Sequence, residues 1–153
     1  MQWIEWRWRA LADFDAPSLY EMLALRQRVF VTEQRCIYLD ADGLDADTEH
    51  LTGHDGERLV GCLRLMPPGI LGRNAAIGRV AVDRDYRRQG LATRMMRLAI
   101  ERIEGKFGAV PVQLAAQRHL VDFYAGFDFD PVSAPYDEDG IMHVDMLRDA
   151  DDR

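Results

Sequence analysis

The stretch AAIGRVAV, residues 75–82, limits the fold more than any other part of the chain. Apart from Arg79 it is apolar without alternation, the pattern of a strand covered on both faces and so central in a sheet. From Leu91 to about Glu104, LATRMMRLAIERIE repeats apolar residues at helical spacing, with Gly105 as the expected stop. A second apolar run, VPVQLAA, follows at 110–116. Strand, helix and strand in that order make a crossover between parallel neighbours. Part of the sheet must therefore be parallel, built around one buried strand.

The remaining segments read as antiparallel partners. WIEWRW puts Ile4, Trp6 and Trp8 on one side of an alternating strand. Pro17 and Ser18 then open a helix. Ser18 and Glu21 have the spacing of a capping box, and Leu19, Met22, Leu23, Arg26, Val29 and Phe30 follow at helical intervals. HLTGHD, the turn DGE and RLVGCLRLM form a hairpin that ends at Pro67 and Pro68. HLVDFYAGF is a short helix, and DPVSAPY and IMHVDML are strands joined by the turn DEDG. The order β-α-β-β-β-α-β-α-β-β predicts one α/β domain, with a mixed central sheet of about seven strands flanked by helices.

Charge and composition narrow the partners. A net charge of −7 disfavours nucleic acid, which needs a basic surface, and suits cationic partners such as amines. No apolar stretch approaches the ~20 residues of a membrane span, and MQWIEWRWRA lacks the smooth apolar core of a secretory signal. The expectation is a cytoplasmic protein without a membrane partner. Cys36 and Cys62 lie outside any metal-binding spacing and read as reduced thiols. DADGLDADTE, residues 40–49, lacks the glycine at the sixth place of a calcium loop. It reads as an acidic lip for a cationic acceptor or as a solvated loop, and no metal is expected. The oligomeric state stays open, a homodimer included.

The turn DYRRQGLA joins the C-terminal end of the buried strand to a helix N-terminus. Unpaired backbone N–H groups and the positive end of the helix dipole make such a corner an anion site. Gly90 allows close approach to the backbone, Ala92 stays out of the way, and Arg87 and Arg88 add charge. That chemistry suits a pyrophosphate. The spacing Arg-x-x-Gly-x-Ala differs from the Rossmann and Walker patterns. It resembles the acyl-CoA-binding signature of GCN5-related N-acetyltransferases, the GNAT family. The strand-turn-helix context of IGRVAVDRDYRRQGLATRMM and the later DFYAGFDF agree with it. LYEMLALRQRVFVTEQRCIYLDADGLD, the pair Glu49–His50 and YDEDGIMHVDM further resemble the ElaA-type subgroup, so the likeness runs from about Tyr20 to Met146.

The resemblance implies a GNAT fold with a splayed central strand pair and acetyl-CoA as co-substrate. It implies that Val80, Ala81 and Val82 pair with the pantetheine arm, and that Arg87, Arg88, Gln89, Gly90, Leu91, Ala92 and Thr93 hold the pyrophosphate. His119, with Arg118 beside it, stands where many members contact CoA through asparagine. The implied reaction is direct attack of a primary amine on the thioester, the acceptor being a small molecule or peptide. The backbone N–H near Val80 would stabilise the oxyanion and Tyr124 would protonate the departing thiolate. Glu33, His50 and His143 are the candidates for deprotonating the amine, with Glu138 as a further carboxylate. Asp128 stands where the family usually has glycine, which puts the geometry of that turn in question. Two alternatives share the fold: a non-catalytic CoA-sensing module, and an enzyme like the acyl-homoserine-lactone synthases, which share a Val-Phe segment in the first helix.

Overall fold

The structure, a computed structural model, describes residues 3–150. Its strands are β1 (Glu5–Ala10), β2 (Glu49–Asp55), β3 (Arg58–Met66), β4 (Ala75–Val82), β5 (Val112–Gln117), β6 (Asp130–Pro131), β7 (Tyr136–Glu138) and β8 (Ile141–Arg148). The helices are α1 (Ala16–Gln27), α2 (Leu91–Phe107) and α3 (Val121–Ala125). The sheet order is β1-β2-β3-β4-β5-β8-β6, with β7 also on β8. Every neighbouring pair is antiparallel except β4 and β5, the two ends of the crossover. The sixth expected strand, DPVSAPY, is split into β6 and β7. Pro131 and Pro135 flank the interruption, where a ladder N–H is missing.

β4 is covered on both faces, as its composition requires. On one face Ile77 and Ala75 join Met95, Met96, Ala99 and Ile103 of α2, with Leu63, Leu65, Leu114 and Met146 from neighbouring strands. On the other, Ala81 and Cys62 pack with Met22, Leu25 and Val29. Each fully buried leucine or methionine contributes about 1.5–3 kcal/mol, so these layers fix the sheet between its helices. On the outer side, the Trp6 ring lies so close to Gly53 that a Cβ there would sit 2.4 Å from Trp6 Cζ3. Glycine is required at that position in β2 by this approach.

The helix ends differ from the sequence expectation. α1 starts at Ala16, and its cap is Asp15, whose carboxylate accepts a hydrogen bond from the Ser18 amide at 2.9 Å. Pro17 needs no N–H partner in the first turn, which lets the helix begin ahead of Ser18. Beyond Gln27 the chain winds on as a π-helical segment, Arg28–Glu33. α2 runs through Gly105 and stops at Gly108, where φ is +74°. The positive φ, rather than the first glycine met, ends the helix.

Candidate active site

β4 and β5 pair only at Ala75–Val112 and Ala76–Gln113. From Ile77 onward they diverge, leaving the β5-facing edge of β4 without a strand partner among the described residues. A bulge accompanies the divergence. Arg64 of β3 opposes Gly78 and Cys62 opposes Ala81, so β4 carries one residue more than β3 over this span. Arg79 sits in the bulge at φ +50°, a left-handed conformation costly for a side chain with Cβ. The wedge presents strand backbone to anything that enters it, as an added strand would need.

The turn after β4 lies at the end of this wedge. Asp83 caps a short turn by accepting from the Asp85 amide at 2.9 Å. Arg88 (φ +62°) and Gly90 (φ +82°) then reverse the chain into α2. The first helical bond is Arg94 N–H to the Gly90 carbonyl at 3.0 Å, and no side chain caps the helix. The amides of Gly90, Leu91, Ala92 and Thr93 are therefore the free donors of this N-terminus. A Cβ built on Gly90 meets no atom within 4 Å. Its glycine hydrogen faces an open cradle, which suits a pyrophosphate approaching the amides. The Leu91 side chain points the other way, into a small core with Val60 and Tyr86, and Ala81 is likewise a core side chain. Only their backbone faces the ligand side.

The wedge opens into a cavity of about 1180 Å³. Val80, Val82, Arg87, Ala92, His119, Tyr124, Glu33, Glu138 and His143 all line it. Six separate segments thus converge on one space: the π-helical turn, β4 with its loop, the start of α2, the α3 region, β7 and β8. Tyr124 is buried against Phe123 and Phe129 in edge-on ring contacts. Burial pushes its hydroxyl up to about 12, so it keeps its proton at neutral pH. His143 donates from Nδ1 to the Ile141 carbonyl at 2.8 Å, which leaves the Nε2 lone pair available. Glu138 lies 3.8 Å from that Nε2.

Two of the charges singled out in the sequence pair with each other. Arg87 donates to the Glu33 carboxylate and to the Val82 carbonyl, the latter at 3.2 Å. The pair ties the turn after β4 to the π-helical segment, and Arg87 stays exposed beside Arg88. Asp128 takes φ +70°, a conformation aspartate tolerates better than most residues. The turn that normally uses glycine is therefore formed.

His50 stands apart from the cavity. It is buried, its Nε2 is 3.0 Å from the Asp45 carbonyl oxygen, and burial depresses its pKa. Arg118 also lies off the cavity lining. The acidic segment is neither a free lip nor a solvated loop. Arg26 on α1, 1% exposed, binds Asp40 and Asp45 at 2.8 Å each. Arg64 reaches Asp42 at 2.8 Å and Asp45 at 3.1 Å, while Arg79 reaches Asp40 at 2.8 Å. Burial opposes the charged form of Asp42, but hydrogen bonds from Arg64 and the Leu44 amide outweigh it and take the carboxyl down to about 2. Sequence reading missed this network because Arg26, Arg64 and Arg79 sit on three different elements. Arg64 and Arg79 in strand runs otherwise apolar were the available signal.

A splayed parallel pair, a bulged strand and a helix N-terminus opened by glycine beside one cavity define a fold of acyl-CoA-dependent N-acyltransferases. The GNAT acetyltransferase domain model matches residues 29–149, and the chain belongs to that family. Protein ElaA of Escherichia coli is 36% identical over 148 residues, covering 95% of this chain and 97% of ElaA. Its crystal structure superposes with a TM-score of 0.90 over 96% of this chain and 100% of ElaA. An acyl-CoA N-acyltransferase from Pseudomonas aeruginosa, 38% identical, superposes at 0.91 over 95% of this chain and 99% of that one. A GNAT acetyltransferase from Elizabethkingia anophelis with acetyl-CoA bound, 15% identical, shares the fold at 0.65, covering 95% of this chain and 97% of its own.

Proposed function

We propose that this protein is a cytoplasmic N-acetyltransferase that moves the acetyl group of acetyl-CoA to a primary amine of a small molecule or peptide. The observation that carries the reading is the meeting of the β4–β5 wedge, the uncapped N-terminus of α2 and Tyr124 on one cavity. The acetyl-CoA bound to the Elizabethkingia neighbour supports the choice of co-substrate.

In this reading the amides of Gly90 to Thr93, with Arg88 and Gln89 at the exposed rim, hold the pyrophosphate. The bulged backbone at Val80 to Val82 takes the pantetheine arm and aims an N–H at the thioester carbonyl. His119 flanks the arm from the α3 side. The neutral amine attacks the carbonyl carbon, the C–N bond forms, and the C–S bond breaks as the thiolate leaves. A phenol near 12 is a weaker acid than a thiol near ~8.5. Tyr124 therefore acts by donating a hydrogen bond to the sulfur as charge builds on it. His143, with Nε2 free, takes the amine proton, and Glu138 stabilises the imidazolium that results. Glu33, held by Arg87, organises the site instead of serving as base. His50 has no part in the chemistry.

The test is thiol release from acetyl-CoA across a panel of primary amines. At least one amine should release thiol in proportion to acetylated product. Tyr124→Phe should lower kcat by about 100-fold or more, the size of losing one hydrogen-bond donor to developing charge, with acetyl-CoA affinity nearly unchanged. Tight acetyl-CoA binding without thiol release from any amine would favour the CoA-sensing alternative.

A further inference from the structure

The cavity takes in more than the free backbone edge of β4, and the part over the narrow end of the wedge has its own chemistry. Its floor is made of small residues: Ala76 and Gly78 on β4 and Ala115 on β5 all line it. A Cβ added at Gly78 would meet nothing within 4 Å. The walls are large apolar side chains that remain open to solvent, Leu39 at 78% exposure, Leu71 at 49% and Val132 at 60%. Three such residues around a bare sheet floor are unusual, since exposed apolar groups usually occur singly. Two pairs of polar groups on the same face already satisfy each other, Asn74 with Gln113 at 3.1 Å and the Tyr136 hydroxyl with Asp145. Around Leu39, Leu71 and Val132 the trough therefore offers chiefly apolar contact.

We infer that this trough holds the apolar body of the acceptor, so that the substrate class is alkyl or aryl primary amines; this rests on the acetyltransferase reading above. The trough shares one cavity with His143, Glu138 and Tyr124. An amine whose apolar part lies over Ala115 directs its nitrogen towards His143 and the wedge. The carboxylates of Glu138 and Asp145 along the route favour a cationic head over the neutral acyl chain of a longer thioester.

Calorimetric titration of the unliganded protein with octylamine and ethylamine tests the inference. Octylamine is expected to bind about fiftyfold more tightly, the factor given by burying about three of its six additional methylenes. In Leu39→Ser/Leu71→Ser, two surface changes whose folding is checked by circular dichroism, the ratio should fall below about fivefold, the level left when most methylene contacts are lost. A wild-type ratio below that level, or one unchanged in the double variant, overturns the inference. A parallel comparison of octanoyl-CoA with acetyl-CoA should show similar affinities. A large preference for octanoyl-CoA that the double variant abolishes would assign the trough to the acyl chain and overturn the amine assignment. Failure of acetyl-CoA to bind at all would remove the acetyltransferase reading, while the amine ratio would still report on the trough.

Discussion

Replacing Arg26 by methionine should destabilise the fold by about 3 kcal/mol. Breaking a buried ion pair by removing one partner costs about 3–5 kcal/mol, because the other charge is left without compensation. Here the guanidinium holds two carboxylates, Asp40 and Asp45, from a position 1% exposed. Neither is abandoned when it goes. Asp40 keeps Arg79 at 2.8 Å and Asp45 keeps Arg64 at 3.1 Å, which places the loss at the low end. Methionine fills much of the arginine stem volume, so cavity formation adds little. In urea titration the midpoint should fall with an unchanged slope. For a chain of this size the melting temperature should drop by roughly 6–12 °C. Arg26→Met/Asp40→Asn should lose less than the sum of the two single changes, since the second removes a charge that the first exposes. A loss below about 1 kcal/mol for Arg26→Met, the level of a surface pair, would refute the reasoning. It would mean that the network is solvated and does not fix the loop carrying Asp40, Asp42 and Asp45.

Two further expectations test other parts of the fold. His50 has its pKa lowered by burial, so the folded state favours the neutral ring. Its contribution is complete above about pH 6.5, the unfolded value, and declines as pH falls from there toward the folded pKa. His50→Gln, which can still donate to the Asp45 carbonyl, should lose less stability than wild type between pH 7 and 5 in denaturant titrations. His54, also depressed by burial, supplies a residual slope. Equal slopes in the two proteins would remove His50 from the acid response. Gly53→Ala places a Cβ into the Trp6 ring and should cost about 1–3 kcal/mol, with a change in tryptophan emission. Unaltered stability would mean that the ring is free to move aside.

Much of this fold could be read from the chain because the relevant signals are local. The unbroken apolar run at β4, the helical period of α2 and the DGE turn each specify their element within a few residues. The turn after β4 was legible for the same reason: Gly90 stands between a buried strand and a helix, and there it takes φ +82°. Boundaries were less accessible. Gly105 looked like the end of α2, yet it keeps helical backbone while Gly108 takes the positive φ. The π-helical winding of Arg28–Glu33 leaves no mark distinct from a continuing helix. Charge was hardest to place. Arg87 looked like a phosphate ligand and is paired with Glu33, and the acidic loop, read as a lip or a solvated loop, is held by three arginines. Such pairings depend on which elements the fold brings together, and residue spacing carries no information about that. His50 is a different case, since its partner is a local one, a backbone carbonyl five residues earlier in the chain.

The account depends most on the open cradle at Gly90. Titrating coenzyme A into wild type, Gly90→Asn and Gly90→Asp by calorimetry tests it most directly. Both substitutions tolerate the left-handed backbone comparatively well, and aspartate additionally favours a helix N-cap, so both variants should stay folded. Wild type should bind, asparagine should weaken binding, and aspartate should weaken it at least about tenfold further, since one repelled charge at such a site amounts to more than ~1.4 kcal/mol. Equal affinity across all three would contradict the assignment of this corner to the pyrophosphate.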